Sequence, residues 1–285
     1  MTIRIAQYLG MEKVAEIANR TGVMENMPNV LSMALGAGET SLIDLTAAYA
    51  SFVNGGKKVE PSLIDRIQDR RGKNIFLENF AACTNCDEPY IEENPMPKLV
   101  NSSESIFDEA KSYQMVSILK GAVDRGTGRK TKIDGIEIAG KTGTTNNNTD
   151  AWFIGFTSDL IIGVYAGFDK PKSLGKRETG SSVAVPIFRD FVKNYYQEKP
   201  ILPFTIPNGI ELIKINYDTG EIASNFNSSE SVYEAFSKSD NLVSSGEILV
   251  GSEGFQIIEV ADEVMEEYVC LLYTSDAADE GLGVD

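Results

Sequence analysis

The chain has 285 residues, 42% of them apolar, which is enough to bury a substantial core. It contains no histidine, so Ser-His-Asp catalysis, Cys-His catalysis and histidine-ligated metal sites are excluded. The net charge of −16 is concentrated near the C-terminus, since 17 acidic residues and two lysines lie in residues 206–285. The rest of the chain is nearly neutral, so nucleic acid is not an expected partner. No membrane span, metal site or cofactor is predicted.

Two helices are predicted in the first 60 residues. Apolar side chains recur at helical spacing over residues 5–18, and this pattern stops at Thr21-Gly22. Ser41 and Asp44 resemble a capping box, which predicts a second helix over residues 41–52 that ends at Asn54.

A polar segment follows a hairpin predicted over residues 63–77. We expect this segment, residues 81–104, to form a loop that carries Cys83 and Cys86 in a C-x-x-C pattern. Two thiolates alone cannot complete a tetrahedral zinc site. A loop disulfide between the two cysteines, a reactive thiol pair and no chemical role all remain open, and a disulfide would require an oxidising compartment.

The middle of the chain predicts a helix, then a sheet, then another helix. The first helix covers residues 110–123, and three strand patterns follow at 133–139, 151–156 and 160–168. Short connections between the strands predict antiparallel pairing. The second helix covers residues 185–195, with an apolar face of Val185, Phe188, Phe191, Val192 and Tyr195. This order predicts an α+β domain over residues 1–199.

From residue 200 onward the sequence predicts less regular structure than residues 1–199. Residues 200–222 predict a small β extension, with a hairpin over residues 208–222 that turns at Asp218-Thr219-Gly220. Residues 223–285 are acidic and rich in serine and asparagine, so we expect a mostly disordered tail.

Lys141-Thr142-Gly143-Thr144-Thr145 follows the strand predicted over residues 133–139. At a strand edge, Lys141 can direct an ammonium toward a ligand, while Thr142 and Thr144 present hydroxyls on one face. Gly143 lets a ligand backbone approach closely enough to add as an extra strand. The segment therefore predicts a site for a peptide carboxylate, although K-T-G alone also occurs at ordinary polar strand ends.

Longer segments around K-T-G carry a family resemblance. Residues 140–157 are similar, almost residue for residue, to a stretch of the class A penicillin-binding proteins, the bifunctional glycosyltransferase and D,D-transpeptidase enzymes that build peptidoglycan. The resemblance covers residues 1–220 and includes, in family order, Ile5-Ala6-Gln7, Leu35-Gly36-Ala37-Gly38-Glu39-Thr40, Ala48-Tyr49-Ala50-Ser51-Phe52-Val53-Asn54-Gly55-Gly56, Gly126-Thr127-Gly128 and Glu178-Thr179-Gly180-Ser181-Ser182-Val183-Ala184-Val185-Pro186.

This resemblance implies an incomplete transpeptidase fold of the penicillin-binding protein and serine β-lactamase type. It implies that Lys141 takes part in proton relay, and that Thr142, Gly143, Thr144 and Thr145 bind substrate, with the Thr142 and Thr144 hydroxyls on its terminal carboxylate. The backbone N–H of Thr144 would supply half of an oxyanion hole. The implied ligands are a D-Ala-D-Ala stem peptide and β-lactams, at the periplasmic face of the bacterial inner membrane, where other cell-wall synthesis proteins are possible partners.

The sequence departs from the family pattern, which requires S-x-x-K, then S-x-N, then K-T-G. Two S-x-x-K strings occur, at Ser117 and at Ser173, and neither is followed by the other motifs in order. We therefore expect this chain alone to be inactive, with its nucleophile, glycosyltransferase domain and membrane anchor encoded upstream. The alternative is a non-catalytic module that binds a peptide carboxylate or a β-lactam.

The last part of the sequence raises a separate expectation. From Cys270 onward, and most clearly over residues 270–280, the sequence resembles a translated sequencing adapter. The alternative is a natural acidic terminus.

Overall fold

The computed structural model describes residues 2–78, 81–84, 98–101, 103–217, 219–222, 231–238, 250–251 and 254–255. Within these ranges, no helix is long and apolar enough to cross a membrane. The helices are α1 (Thr2–Leu9), α2 (Met11–Arg20), α3 (Leu42–Val53), α4 (Glu109–Asp124) and α5 (Val185–Tyr195). The strands are β1 (Arg66–Gln68), β2 (Asn74–Leu77), β3 (Ala81–Thr84), β4 (Lys98–Asn101), β5 (Ala139–Thr144), β6 (Asp150–Phe156), β7 (Ile161–Gly167), β8 (Ile210–Asn216), β9 (Ser231–Ser237), β10 (Val250–Gly251) and β11 (Gly254–Phe255).

The helix predicted over residues 5–18 is two helices in the structure. Gly10 separates α1 from α2 because its φ of 84° lies in the left-handed region, which an α-helix cannot accommodate. The prediction for α3 is confirmed. The Ser41 hydroxyl accepts a hydrogen bond from the Asp44 backbone N–H at 3.1 Å, and so caps the first turn.

A three-stranded antiparallel sheet in the order β5-β6-β7 forms the centre of the fold. The antiparallel prediction is confirmed, but the first strand begins at Ala139 rather than at residue 133. The Ile136 N–H donates to the Ile133 carbonyl at 3.1 Å, and Gly135 between them has a φ of 80°. A tight turn therefore occupies part of the alternating segment that predicted a strand.

The two faces of the sheet are covered by different helices. On one face, Phe153 of β6 packs edge to face on Phe188 of α5, with ring centroids 4.8 Å apart. On the other face, Phe156 of β6 packs with Val116 and Leu119 of α4. The core therefore lies in two layers with the sheet between them, as an α+β domain requires.

Helix α5 has the bounds that the sequence predicts, but one residue of its predicted apolar face lies elsewhere. Val185, Phe188 and Val192 are buried, whereas Phe191 is 53% exposed. The helical period explains this difference, because Phe191 lies three residues after Phe188 and one before Val192, at the border of the buried stripe. It stacks on Tyr195, 6.5 Å away, on the outer side of the helix.

The small β extension is larger than predicted. Strand β8 lies within the predicted hairpin and ends at Asn216. Its main partner, however, is β9, which lies in the segment expected to be disordered. Strand β9 is held against α4 by a hydrogen-bonded ion pair between Arg125 and Glu234 at 2.6 Å. Tertiary contacts thus order a stretch whose composition alone favours disorder.

The hairpin predicted over residues 63–77 is confirmed, since β1 and β2 pair antiparallel. The predicted polar loop is wrong in part, because β3 and β4 inside it form a second antiparallel pair. Cys83 belongs to β3, while Cys86 lies outside the described residues, so the disulfide stays a prediction. Cys270 and the predicted adapter segment also lie outside them, as does Asp218.

We predict that Phe188→Ala lowers the free energy of unfolding by about 3–5 kcal/mol, because it empties a fully buried position between the sheet and α5. The neighbouring Ile187 is 54% exposed, so Ile187→Ala is the matched control and should cost no more than about 0.5 kcal/mol. Urea titration followed by fluorescence of the single tryptophan measures both. Equal losses for the two variants would contradict this assignment of the core.

Candidate functional site

The K-T-G segment lies inside strand β5 rather than after it. Lys141, Thr142, Gly143 and Thr144 are paired with residues 151–154 of β6 along one edge of the strand. Strand β5 is the first strand of the sheet, and no described strand pairs with its second edge. A strand edge that is not covered by another strand is a template on which an extended peptide can add.

Strand alternation directs the K-T-G side chains to opposite faces of the sheet. Thr142 is paired with Phe153, so it lies on the face covered by α5, and Thr144 shares this face. Lys141 is paired with Ile154 and lies on the other face, where its Nζ is 3.2 Å from the Thr142 carbonyl oxygen. The ammonium and the two hydroxyls therefore lie on different sides of the strand.

The two threonine hydroxyls have different environments. Thr142 is only 8% exposed, and its Oγ1 lies 2.7 Å from Oγ1 of Thr127, in the loop after α4. Thr144 is exposed, and its Oγ1 accepts a hydrogen bond from the Gly180 N–H at 3.1 Å. Neither hydroxyl is isolated, because each is tied to a neighbouring segment of the chain.

Gly180 begins a short π-helical turn, Gly180–Ala184, that continues directly into α5. A Cβ at this position would collide with the Trp152 carbonyl oxygen and would lie 2.7 Å from the Gly143 carbonyl oxygen. Only glycine therefore allows the turn to rest on the backbones of β5 and β6. The next residue, Ser181, donates to the Thr127 carbonyl at 3.1 Å.

Thr127, Gly180 and Ser181 are thus site residues that the sequence reasoning did not assign. They lie 14 or more residues from K-T-G along the chain. Their only sequence signal was their membership of segments that resemble the family.

Thr145 does not join Thr142 and Thr144. It closes the β5–β6 connection, where its hydroxyl lies 2.6 Å from Thr149 Oγ1 and 3.0 Å from Asp150 Oδ2. Asn147 and Asn148 in this connection have φ values of 61° and 53°, in the left-handed region. The geometry gives Thr145 a role in shaping the end of the strand.

The carboxylate of Asp150 anchors this connection to β7. Tyr165 donates to Asp150 Oδ1 at 2.8 Å. This hydrogen bond is the main cause that lowers the pKa of Asp150, against a smaller opposing effect of burial. It also raises the pKa of Tyr165, so the acceptor and the donor keep these protonation states near neutral pH.

In neither S-x-x-K string do the serine and the lysine have the contacts expected of a nucleophile and its base. The Ser117 hydroxyl lies 3.4 Å from Glu234 Oε2, and Lys120 Nζ lies 3.1 Å from Asp124 Oδ2. Burial raises the pKa of Glu234, and the nearby Arg125 opposes that effect. Ser173 lies in an exposed loop, where its Oγ accepts from the Gly175 N–H at 3.2 Å.

Two clefts in the described part of the chain lie away from K-T-G. One is lined by Phe52, Tyr113 and Phe204, and the other by Lys58, Glu60 and Asp159, among others. Residues 141–145 line neither cleft. In the described ranges there is also no group of three or more cysteine or carboxylate side chains that could hold a metal ion.

Comparison with known proteins agrees with the fold. A family model described as penicillin binding protein transpeptidase domain matches residues 4–193. Penicillin-binding protein 1A of Rickettsia conorii is 44% identical over 228 residues, which is 78% of this chain and 28% of that protein. Penicillin-binding protein 1A of Pseudomonas aeruginosa is 31% identical over 283 residues, covering 88% of this chain and 34% of that protein.

Solved structures show the same fold. The crystal structure of penicillin-binding protein 1A from Haemophilus influenzae matches with a TM-score of 0.68 at 27% identity, over 84% of this chain and 38% of that one. The PonA1 protein from Mycobacterium tuberculosis in complex with penicillin V matches at a TM-score of 0.53 and 18% identity, over 66% of this chain and 50% of that one, which supports the fold alone.

The chain spans about a third of the length of the curated relatives it matches. The family model covers about two thirds of the chain, and the resemblance to class A penicillin-binding proteins is confirmed. By these matches, the chain belongs to the penicillin-binding protein transpeptidase family.

Proposed function

We propose that this chain is the carboxylate-binding part of a serine-type peptidoglycan D,D-transpeptidase that cross-links stem peptides in cell-wall synthesis. The observation that carries the proposal is the position of K-T-G on β5, whose second edge is unpaired by any described strand. Thr142 and Thr144 place two hydroxyls on one face of that strand, and Lys141 adds a positive charge from the other.

The proposed ligand is a stem peptide that ends in D-Ala-D-Ala, or a β-lactam. Its backbone would add along the open edge of β5, where Gly143 presents no side chain. Its carboxylate would accept hydrogen bonds from the Thr142 and Thr144 hydroxyls, and the Thr144 N–H would face the oxygen of the scissile carbonyl. The ammonium of Lys141 would stabilise the negative charge of the ligand and take part in proton relay.

The proposed reaction has two steps. A serine oxygen attacks the carbonyl of the penultimate D-alanine, its proton passes to the departing amine, and the terminal D-alanine leaves. The amine of a neighbouring stem peptide then attacks the acyl-serine ester, which releases the serine and forms the cross-link. We propose that the S-x-x-K and S-x-N residues are supplied by a longer polypeptide, which also carries a glycosyltransferase domain and an anchor in the inner membrane, with this domain on the periplasmic side.

A second candidate function is binding of the carboxylate without turnover by these 285 residues. The surroundings of Ser117 favour it, because this hydroxyl lies beside the carboxylate of Glu234 and Lys120 is engaged with Asp124. A serine in that position lacks the free base that acylation requires.

We predict that the purified chain forms no covalent adduct with a fluorescent penicillin. Intact-mass spectrometry should find the unmodified mass after incubation, while a complete class A penicillin-binding protein treated in parallel gains the mass of one penicillin. An adduct that maps to Ser117, Ser173 or another serine of this chain would contradict the non-catalytic assignment.

We also predict that the chain binds N-acetyl-D-Ala-D-Ala at least about fivefold more tightly than the same dipeptide with a C-terminal amide, because a hydrogen bond to a charged group is worth more than one to a neutral group. Lys141→Met should reduce this preference to less than about twofold, since the positive charge is lost. NMR titration with isotope-labelled protein measures both affinities.

The control for this titration is Lys111→Met, which removes an exposed lysine from the first turn of α4. It should leave the preference of the unaltered chain unchanged. If the unaltered chain binds acid and amide equally, β5 is not a carboxylate site and the proposed function fails.

A further inference from the structure

We propose that Thr127 is a positioning residue that makes the Thr142 hydroxyl a hydrogen-bond donor to the ligand carboxylate. This inference rests on the proposed function and adds a residue from outside the K-T-G strand to it. It follows from the pair of hydroxyl oxygens, Thr127 Oγ1 and Thr142 Oγ1, that lie 2.7 Å apart.

A hydroxyl has one hydrogen to donate, so the direction of this hydrogen bond decides what Thr142 can offer a ligand. If Thr142 donates to Thr127, it presents only oxygen lone pairs outward, and these repel a carboxylate. If Thr127 donates to Thr142, the hydrogen of Thr142 remains available. A bound carboxylate therefore favours the order Thr127 to Thr142 to ligand, in which each hydrogen bond polarises the next.

The loop that carries Thr127 is held on both sides, so its hydroxyl keeps a fixed position relative to β5. The Gly128 N–H donates to the Ala122 carbonyl at 3.1 Å, which closes the end of α4. Ser181 donates to the Thr127 carbonyl at 3.1 Å from the turn that begins α5. A donor with a fixed position loses little conformational entropy when a ligand binds.

Thr144 is prepared for a carboxylate in a similar way by a different group. Its oxygen already accepts the Gly180 N–H at 3.1 Å, which leaves its own hydrogen free to donate outward. Thr127 would thus donate to the Thr142 oxygen as the Gly180 amide donates to the Thr144 oxygen, and each threonine would keep its own hydrogen for the ligand. The two hydroxyls of the strand then present two donors to the two oxygens of one carboxylate.

The test compares variants of the 285-residue chain in titrations with N-acetyl-D-Ala-D-Ala and with its C-terminal amide. Thr127→Val keeps the shape but removes the hydroxyl, and it should weaken binding of the acid roughly fivefold while leaving binding of the amide within about twofold. Thr127→Ser keeps the hydroxyl and should restore the affinity for the acid to within about twofold of the unaltered chain. Thr142→Val is the positive reference and should lose at least as much.

The matched control is Thr21→Val, which removes a hydroxyl at the end of α2 that donates to the Ile17 carbonyl at 2.8 Å. It should leave both affinities unchanged. If Thr127→Val lowers the unfolding temperature sharply, Thr127→Cys replaces it, since a thiol is of similar size and is a weak donor, and an intermediate loss of acid binding is then expected.

Two outcomes would overturn the inference. One is that Thr127→Val binds the acid as tightly as the unaltered chain does. The other is that it loses affinity for acid and amide equally, which would reveal a general structural role. Both differ from failure of the proposed function, in which the unaltered chain itself does not distinguish acid from amide.

Discussion

The close approach of Gly180 to the backbones of β5 and β6 is the constraint on which the rest of the site depends. Because this residue has no side chain, the turn that starts α5 rests directly on the strand that carries K-T-G. That contact brings the Gly180 amide to Thr144 and the Ser181 hydroxyl to the loop of Thr127. The start of α5 is therefore linked both to the Thr144 hydroxyl and to the loop that carries Thr127.

Because side chains alternate along β5, Lys141 lies on one face of the sheet, and Thr142 and Thr144 lie on the other. On the α5 face, the Thr142 hydroxyl is hydrogen-bonded to the Thr127 hydroxyl, and the Thr144 hydroxyl accepts a hydrogen bond from the Gly180 backbone N–H. On the opposite face, Lys141 carries a positive charge, and its Nζ donates to the Thr142 carbonyl oxygen at 3.2 Å. In the proposed site, the two threonine hydroxyls would bind the planar carboxylate of the ligand, and the ammonium would add a positive charge on the other side of the strand.

Local signals in the sequence were sufficient for α3 and α5, because a serine cap and a helical apolar stripe are properties of neighbouring residues. Local signals were insufficient where contacts between distant parts of the chain determine the structure. Strand β9 is ordered by α4 through Glu234, and the pairing of Thr127 with Thr142 depends on where the loop after α4 meets β5. The family resemblance drew attention to K-T-G, but it could not indicate which hydroxyl lies beside which neighbour.

The contact between Arg125 and Glu234 also bears on how the chain folds. The two residues are 109 positions apart, so closing this contact costs the conformational entropy of a long loop. During synthesis, α4 leaves the ribosome well before β9 exists, and its outer surface stays uncovered for that interval. The contacts of β9 with α4 are therefore of high contact order, and they can form only after residue 237 has been synthesised.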